Sequence, residues 1–237
     1  LLFWVWGERR LAGRRVQKVR RLRPGQLRHE LRHTVVTFVV GSLGAGSTVA
    51  LHALGRTRLV DVVAPGEGLA ALAWAAGIIA FNDAWFYGWH RLLHTPWLFR
   101  HIHSVHHKSV DVNPFSSYSF HALEALILSA WVLPAALLLP IPLPVLAAVQ
   151  VIGLLNNLNS HLGYELLPRW WVRAPLLAWS ASSTHHNLHH QHLRGNYGLF
   201  TRLWDRLFGT ECADYEAAFT DRAPARLAAE ASAAPTP

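Results

Sequence analysis

Histidine is concentrated in three short clusters of this chain. Residues 90–94 read H-x-x-x-H, and residues 103–107 and 186–190 each read H-x-x-H-H. Spacings of three and four place side chains on one face of a helix, so each cluster can direct two or three imidazoles at a common point. The cluster histidines are His90, His94, His103, His106, His107, His186, His189 and His190.

The number of these imidazoles favours two metal ions over one. A zinc ion takes about four ligands, and eight converging rings exceed that number. Imidazole binds Zn, Cu, Fe or Ni, so the ligand type does not choose the metal. A single H-x-x-x-H pair often arises by chance in a core or on a surface, but three clusters in one chain predict a metal site.

Three further histidines are weaker candidates for metal ligands. His121 and His161 each stand at the end of a predicted membrane span, with an acid one turn later in Glu124 and Glu165. Ligating histidines usually donate their second N–H to a carboxylate or a carbonyl, which these acids would supply. The alternative is a histidine at the membrane interface. His185 stands directly before the last cluster, and the sequence does not decide whether it is a ligand.

Two polar residues near the clusters are candidates to orient the ligands. Asp83 shares a helix face with His90, and a charge inside an apolar span is functional by default. It is predicted to orient His90, unless it forms a buried salt bridge to another helix. Asn157 stands one turn before His161 and is predicted to play a similar role. The remaining histidines match no cluster and are treated as bystanders: His29, His33, His52, His101 and His192.

Membrane helices are the elements that must position these clusters. The chain is 51% hydrophobic and 15% charged, against about 25% charged in soluble domains. Residues 34–54 contain 21 positions without Asp, Glu, Lys or Arg, enough to cross a core of about 30 Å. Further apolar runs cover about 69–89, 122–139 and 145–160, and the last two form either short spans or a partly sunken hairpin.

The predicted fold is therefore an all-α integral-membrane bundle of about four spans, with a cytoplasmic histidine-rich cap that holds two metals. Channel-lining candidates are the aromatic residues Trp74, Trp85, Phe86, Trp89, Trp97 and Phe115. The alternative is a soluble helical protein with a large core.

Basic residues near the N-terminus indicate the orientation. Ten of the 22 Lys and Arg residues lie between Arg9 and Arg32, which favours a cytoplasmic segment beside the first span. Counting spans from there places all the histidine clusters on the cytoplasmic side. No nucleic-acid-binding motif accompanies the charge, so nucleic acid is not an expected partner.

The chain divides into three regions. Residues 1–33 open on "LLFWVW", which we expect to be the truncated end of an apolar segment, and continue into the basic segment. Residues 34–211 form the membrane-embedded domain. Residues 212–237 form a C-terminal tail that ends in Ala- and Pro-rich sequence and is expected to be disordered there. The only cysteine is Cys212, so no intrachain disulfide forms.

Five stretches together resemble a known family: "DAWFYGWHRLLHTPWLFRHIHSVHHKS", "PFSSYSFHALE", "LNNLNSHLGYE", "STHHNLHH" and "GNYGLFTRLWDRLFGTE". In this order they are similar to the fatty acid hydroxylase/sterol desaturase superfamily of integral-membrane di-iron enzymes. The H-x-x-x-H cluster resembles its sterol desaturase branch, and the basic segment, the "GRTRLVDVV" loop and the closing "NYG…WDRLFGT" look most like its bacterial members. One departure is Ala122, where family members often carry proline after the histidine.

The resemblance implies two iron ions, O2 as co-substrate, and hydroxylation or desaturation of a lipid such as a sterol or a fatty acyl chain. It implies the eight cluster histidines as ligands and matches His121 and His161 to further recurrent histidines, while His185 lies outside the pattern. The electrons would come from an external donor, a reductase with a ferredoxin or cytochrome, and the location would be a bacterial inner membrane. The alternative is a histidine-rich membrane metal-binding or transport protein without redox catalysis.

Overall fold

The computed structural model describes residues 11–17 and 23–221, and this part of the chain contains helices and isolated β-bridges but no strand. The predicted all-α class is confirmed. The predicted apolar N-terminal end and the Ala- and Pro-rich tail lie outside the described residues. In chain order the α-helices are α1 (Gln26–Ala53), α2 (Gly68–Leu93), α3 (Pro96–Leu98), α4 (Ser104–His107), α5 (Ala122–Ser129), α6 (Val132–Leu138), α7 (Leu143–Ser160), α8 (Ser183–His192), α9 (Leu203–Leu207) and α10 (Tyr215–Thr220).

Three of these helices are long and apolar enough to cross a membrane. They are α1 with 28 residues, α2 with 26 and α7 with 18. At 1.5 Å per residue the shortest of them extends about 27 Å, close to the thickness of the hydrocarbon core. Large apolar side chains on these helices stay exposed, including Val39, Leu43 and Leu72. Lipid would cover these side chains, as expected of an integral membrane protein.

The predicted third span is broken into two short helices. The apolar stretch Ala122–Leu138 is shorter than a full span, and its helix is interrupted at residues 130 and 131 between α5 and α6. Pro134 explains the break, because it cannot donate to the carbonyl of Ala130 and its ring crowds that carbonyl. The count of about four spans therefore stays a prediction, with three long helices established.

Helix α1 begins at Gln26, eight residues before the predicted start of the first span. The predicted span starts directly after the last charged residues of the basic segment. A membrane helix can include charged residues near its end. The aliphatic part of an arginine side chain lies along the helix and places the charged group at the membrane–water interface.

Two apolar clusters fix the helices on either side of the histidines. The larger one joins α2, α6 and α7 through Ile78, Ala136 and Val149, and Trp131 packs into it. The smaller one packs α8 against α10, through Leu188 and its apolar neighbours. Helix α1 contacts α5 and α6. The ends of α2 and α7 thereby meet α8 at one end of the bundle.

Candidate metal centre

Nine histidine side chains converge in two groups where the helices meet. Within each group one ring nitrogen per histidine lies within 4.8 Å of those of all other members. Eight of the nine come from the three clusters, and the ninth is His161 at the end of α7. The five-histidine group consists of His90, His94, His103, His107 and His189, and the four-histidine group consists of His106, His161, His186 and His190.

The spacing of the nitrogens matches a metal coordination sphere. Neighbouring Nε2 atoms within the groups are 3.0–3.2 Å apart. Nitrogen ligands bound at about 2.0–2.1 Å, at octahedral or tetrahedral angles, lie about 2.9–3.4 Å from one another. The observed distances are therefore those of nitrogens that share one ion.

Hydrogen bonds between the rings do not explain these contacts. A ring nitrogen carries either one N–H or one lone pair in the ring plane, so it makes one linear contact. The Nε2 atom of His190 lies 3.1 Å from the Nε2 atoms of both His106 and His186. The Nε2 atom of His189 also makes two such contacts. A cation at the centre of each group would bind all of these lone pairs at once, so the donor set fits two metal ions.

Helix geometry divides each H-x-x-H-H cluster between the two groups. His103 and His107 are four residues apart, and both belong to the five-histidine group. His106 points about 100° away from His107 around the helix axis and joins the four-histidine group. In the 186–190 cluster, His186 and His190 belong to the four-histidine group and His189 belongs to the five-histidine group. Each cluster thus supplies two imidazoles to one point and a third to the other.

Four of the nine rings have their outward nitrogen fixed by an oxygen acceptor. A carbonyl or carboxylate oxygen accepts, so Nδ1 carries the proton and Nε2 presents a lone pair to the centre of its group. The donor–acceptor pairs are His90 with the carbonyl of Tyr197 (2.9 Å), His103 with the carboxylate of Glu124 (2.7 Å), His189 with the carbonyl of Gly195 (2.7 Å) and His161 with the carbonyl of Asn157 (2.9 Å).

Burial keeps the imidazoles neutral. Burial, together with the neighbouring histidine His90, lowers the pKa of His94 to about 3 and that of His161 to about 4. The pKa values of His106, His186 and His190 fall well below the usual range for the same two reasons. Neutral imidazole is the form that binds metals, so the rings need not lose a proton at neutral pH.

Two of the sequence candidates lie outside both groups. His121 caps α5, and its Nδ1 accepts a hydrogen bond from the backbone N–H of Leu123 at 3.2 Å. His185 is fully buried, but its Nε2 faces Asp205 at 3.4 Å. Although it shares a helix face with His189, its ring belongs to neither metal group.

The acids predicted to orient ligands have different partners from those expected. Glu124 binds His103 and not His121. Glu165 accepts hydrogen bonds from the backbone of Leu167 and Thr184, while both ring nitrogens of His161 have other partners. The one-turn spacing between each acid and its neighbouring histidine did not predict these hydrogen bonds, because a histidine from another segment can lie closer to the acid than the one on its own segment.

Asp83 and Asn157 also act through other contacts than those predicted. Asp83 accepts hydrogen bonds from the backbone of Phe200 at 2.7 Å and from the hydroxyl of Thr201 at 2.5 Å. It therefore anchors the loop after α8 instead of binding His90. The side chain of Asn157 donates to the carbonyl of Ser117, and it is the backbone carbonyl of Asn157 that holds His161.

The loop between α8 and α9 supplies two of the carbonyls that fix the ligands, and the sequence did not reveal this. Asp205 holds it by accepting from the backbone N–H groups of Tyr197 and Gly198, both at 2.8 Å. Burial alone would raise the pKa of Asp205, but hydrogen bonds from His185 and other donors lower it. The residue of this loop that the sequence could have singled out is Gly195. Its φ of 76° suits glycine, and a Cβ at this position would collide with a carbonyl oxygen.

An intramembrane cavity of about 370 Å³ approaches the histidines through aromatic residues of its lining. It lies among α1, α2, α5 and α7. Phe120 lines it and packs against His106 with ring centroids 4.7 Å apart. Asn157, which holds His161, also lines it. Of the six aromatic residues predicted to line a lipid channel, Phe86 alone is among the lining residues described.

A second cavity, of about 630 Å³, reaches the five-histidine group from outside the spans. His94 and Tyr197 line it, together with Arg194 and Glu211. His94 is half-buried, whereas the other eight histidines are buried. The five-histidine group therefore adjoins both cavities, through Phe86 against His90 and through His94, whereas the four-histidine group adjoins the apolar one through Phe120.

Comparison with known proteins identifies the family. A family model described as fatty acid hydroxylase matches residues 75–210, more than half of the chain. The chain belongs to the fatty acid hydroxylase family. The matched segment contains all nine grouped histidines. The predicted superfamily is thereby confirmed, while the closer likeness to bacterial members stays a prediction.

The curated proteins to which this chain is similar carry the names of enzymes that modify lipids. Methylsterol monooxygenase 1 from Gallus gallus is 32% identical over 140 residues, which cover 59% of this chain and 46% of that protein. A Delta(7)-sterol 5(6)-desaturase from Leptosphaeria maculans is 28% identical over 194 residues, covering 78% of this chain and 50% of that protein. A very-long-chain aldehyde decarbonylase from Oryza sativa subsp. japonica is 31% identical over 164 residues, covering 65% and 25%.

The chain spans about half the length of the two sterol enzymes that it matches. No solved structure matches it. The names of these relatives are those of lipid-modifying enzymes, and the three apolar helices of this chain are long enough to cross a membrane.

Proposed function

We propose that this protein is a membrane-bound di-iron oxidoreductase that uses O2 and external electrons to hydroxylate or desaturate a lipid C–H bond. The observation that carries the proposal is an intramembrane cavity whose lining residues Phe86 and Phe120 pack against His90 and His106, one histidine of each group. A lipid that enters this cavity from the bilayer would bring a carbon to the metal-binding nitrogens. The lipid is a sterol, a fatty acyl chain or a related molecule.

In this proposal each histidine group holds one iron ion, with all nine rings as ligands. His121 and His185 are left out of the ligand set. Imidazole ligands suit iron as they suit zinc or copper, and it is the family relationship that favours iron. A bound di-iron centre supplies the redox chemistry with O2 that breaks an unactivated C–H bond.

The protein's own part is to orient ligands and to exclude water. Backbone carbonyls and Glu124 fix the rings so that their lone pairs face the ions. Phe86 and Phe120 line the cavity beside His90 and His106 and keep that side apolar. The half-buried His94 lies on the polar side, where an external reductase with a ferredoxin or cytochrome would deliver electrons.

Metal analysis tests the proposal directly. Protein purified without oxygen should contain two iron ions per chain, and a single zinc ion or no metal would contradict it. Lipids from cells with and without the gene are then compared by mass spectrometry. A product that has gained one oxygen atom indicates hydroxylation, and a product that has lost two hydrogen atoms indicates desaturation.

A membrane metal transporter without redox activity is the alternative. Transporters place their ligands near the bilayer midplane on broken helices, whereas both histidine groups lie at the ends of α2 and α7. Iron that exchanges freely across the membrane, with no oxidised lipid, would favour the transporter.

We further propose that the histidine groups lie on the cytoplasmic side of a bacterial inner membrane, as the basic segment before α1 suggests. The test uses single cysteines at Glu67 and Lys108 in a Cys212→Ser background. Both residues are exposed and lie at opposite ends of α2. A thiol reagent that cannot cross the membrane should label Glu67→Cys in intact spheroplasts and leave Lys108→Cys unlabelled. The reverse pattern would invert the topology.

A further inference from the structure

The intramembrane cavity contains polar side chains that the proposed function does not use. Asn82 on α2 and Gln150 on α7 both line it. Among the described residues, neither side-chain amide has a hydrogen-bond partner. Thr37 on α1 lines the same cavity, is only 9% exposed, and has a hydroxyl group without a partner. Thr37 is buried, Asn82 is half-buried and Gln150 is exposed on the surface of α7, and all three line one intramembrane space.

The two amides lie far from the histidines. Asn82 precedes His90 by eight residues on α2, and Gln150 precedes His161 by eleven residues on α7. At 1.5 Å per residue these separations are about 12 Å and about 16 Å along the helix axes. The amides therefore mark the end of the cavity that is remote from the metal groups.

The cavity wall between the two ends is largely apolar. Phe86, Leu128 and Leu154 line this middle section. Tyr118 and Asn157 also line the cavity near the histidines, but the hydroxyl of Tyr118 binds the side chain of Asn157. Their polar atoms are therefore satisfied within the protein. A molecule that fills the cavity meets the two free amides at the remote end and the hydroxyl groups of Thr37 and Ser42 along α1.

Uncommitted amides are costly in an apolar membrane interior. An amide without a hydrogen-bond partner costs free energy there, and polar residues inside spans are functional by default. The described lining of the cavity includes no Lys, Arg, Asp or Glu. A neutral group that both donates and accepts, such as a hydroxyl, complements the amides, whereas a carboxylate or an amine would be left without a counter-charge.

We propose that this cavity binds a lipid through a hydroxyl group, which Asn82 and Gln150 hold about 12–16 Å from the carbon that is oxidised. The position of the oxidised carbon rests on the proposed function, whereas the hydroxyl site does not. The cavity volume of about 370 Å³ falls within the range of about 300–1,000 Å³ for ligand pockets. The substrate is a monohydroxylated lipid that is oxidised at the end remote from its hydroxyl group.

A binding experiment tests the hydroxyl site. Purified full-length protein in nanodiscs is titrated with cholesterol and with its analogue that lacks the hydroxyl group, and separately with cetyl alcohol and hexadecane. At least one alcohol should bind about three- to tenfold more tightly than its deoxy partner, the effect of a hydrogen bond. Equal affinities within both pairs, or no binding of either alcohol, would overturn the proposal.

Isosteric variants then locate the site. Asn82→Leu, Gln150→Met and Thr37→Val keep side-chain volume and remove hydrogen-bonding capacity. Either amide variant should reduce the preference for the alcohol towards one, with Thr37→Val reducing it less. The matched control is Ser47→Ala on α1, because Ser47 binds the carbonyl of its own helix at Leu43 and does not line the cavity. A preference unchanged in all three variants would overturn the assignment.

The position of oxidation separates this inference from the proposed function. Where the iron-loaded protein oxidises a bound alcohol, fragmentation mass spectrometry should place the change at the end remote from the hydroxyl group. A change on a carbon next to the hydroxyl would overturn the inference and leave the proposed function intact. A protein that prefers the alcohols but oxidises no lipid would support the hydroxyl site and contradict the proposed function.

Discussion

The two histidine groups differ in ligand number, exposure and support. The five-histidine group includes the half-buried His94, which lines the polar cavity outside the spans. Three of its rings have an outward nitrogen held by an oxygen acceptor. The four-histidine group is wholly buried, adjoins the apolar cavity, and has one such ring, His161. One group thus has a ring that reaches the outer cavity, and the other is wholly enclosed.

This difference suggests a division of labour within the proposed di-iron centre. An ion with four protein ligands keeps more coordination positions open than an ion with five, and open positions are where co-substrates bind. The four-histidine group also adjoins the cavity that would hold the lipid. We therefore expect substrate oxidation at the four-histidine group and electron entry through the five-histidine group.

Removing one ligand from each group should give the largest effects and should test their asymmetry. In His186→Ala the four-histidine group keeps three ligands, so we expect loss of one of the two irons and a fall in turnover of at least about 100-fold. In His94→Ala the other group keeps four ligands and should retain most of its iron. Metal content per chain measures both outcomes.

The control for these variants is His101→Ala, because His101 is exposed and binds only the carbonyl of Trp97. Its iron content and turnover should match those of the unmodified protein. Equal iron loss in His186→Ala and His94→Ala would remove the distinction between the groups.

Glu124 is the only carboxylate among the described residues that holds a grouped histidine, and it supports the five-histidine group. Glu124→Ala leaves the Nδ1 atom of His103 without its acceptor, and we expect iron affinity to fall about 10- to 100-fold. Glu124→Gln keeps an oxygen that accepts from this nitrogen and should lose less. Competition with a chelator measures the affinity. Equal losses in the two variants would show that the negative charge matters and the hydrogen bond does not.

The eight cluster histidines were predictable because their signal is local. Spacings of three and four specify a helix face wherever the helix lies in the fold. The same local reasoning could not divide a cluster such as 103–107 between two groups, because that division depends on where the neighbouring helices stand. His161 was recognised as a candidate, but its grouping with His186 required the end of α7 to meet α8.

Most of the hydrogen bonds that hold the histidine ligands could not be predicted from the sequence. Backbone carbonyls such as those of Tyr197 and Gly195 have no side-chain signature. Asp83 attracts attention as a charge in an apolar helix, yet its partner Thr201 is 118 positions away. Composition predicted the three long helices, and at the third apolar run, predicted as a short span or a partly sunken hairpin, Pro134 breaks a helix that hydropathy alone would continue.

Filling the apolar cavity should affect the substrate and leave both metal groups unchanged. Gly153 lines the cavity, and a Cβ there meets only the ring of Phe200 at 3.8 Å. The larger side chain of Gly153→Leu would extend into the space for lipid, so we expect the apparent affinity for lipid to fall about tenfold. Iron content should stay at its original value. Reduced iron content would mean that the cavity wall also shapes the four-histidine group.

Replacing His121 should have the smallest effect, and the result decides whether the four-histidine group is complete. His121 accepts from the backbone N–H of Leu123 as the cap of α5, so His121→Ala should cost about 1 kcal/mol of stability. Iron content should change less than about twofold, because the ring belongs to neither group. His121→Asp restores a capping oxygen and should recover the stability. Iron loss in both variants would make His121 a fifth ligand, and the difference in ligand number between the groups would disappear.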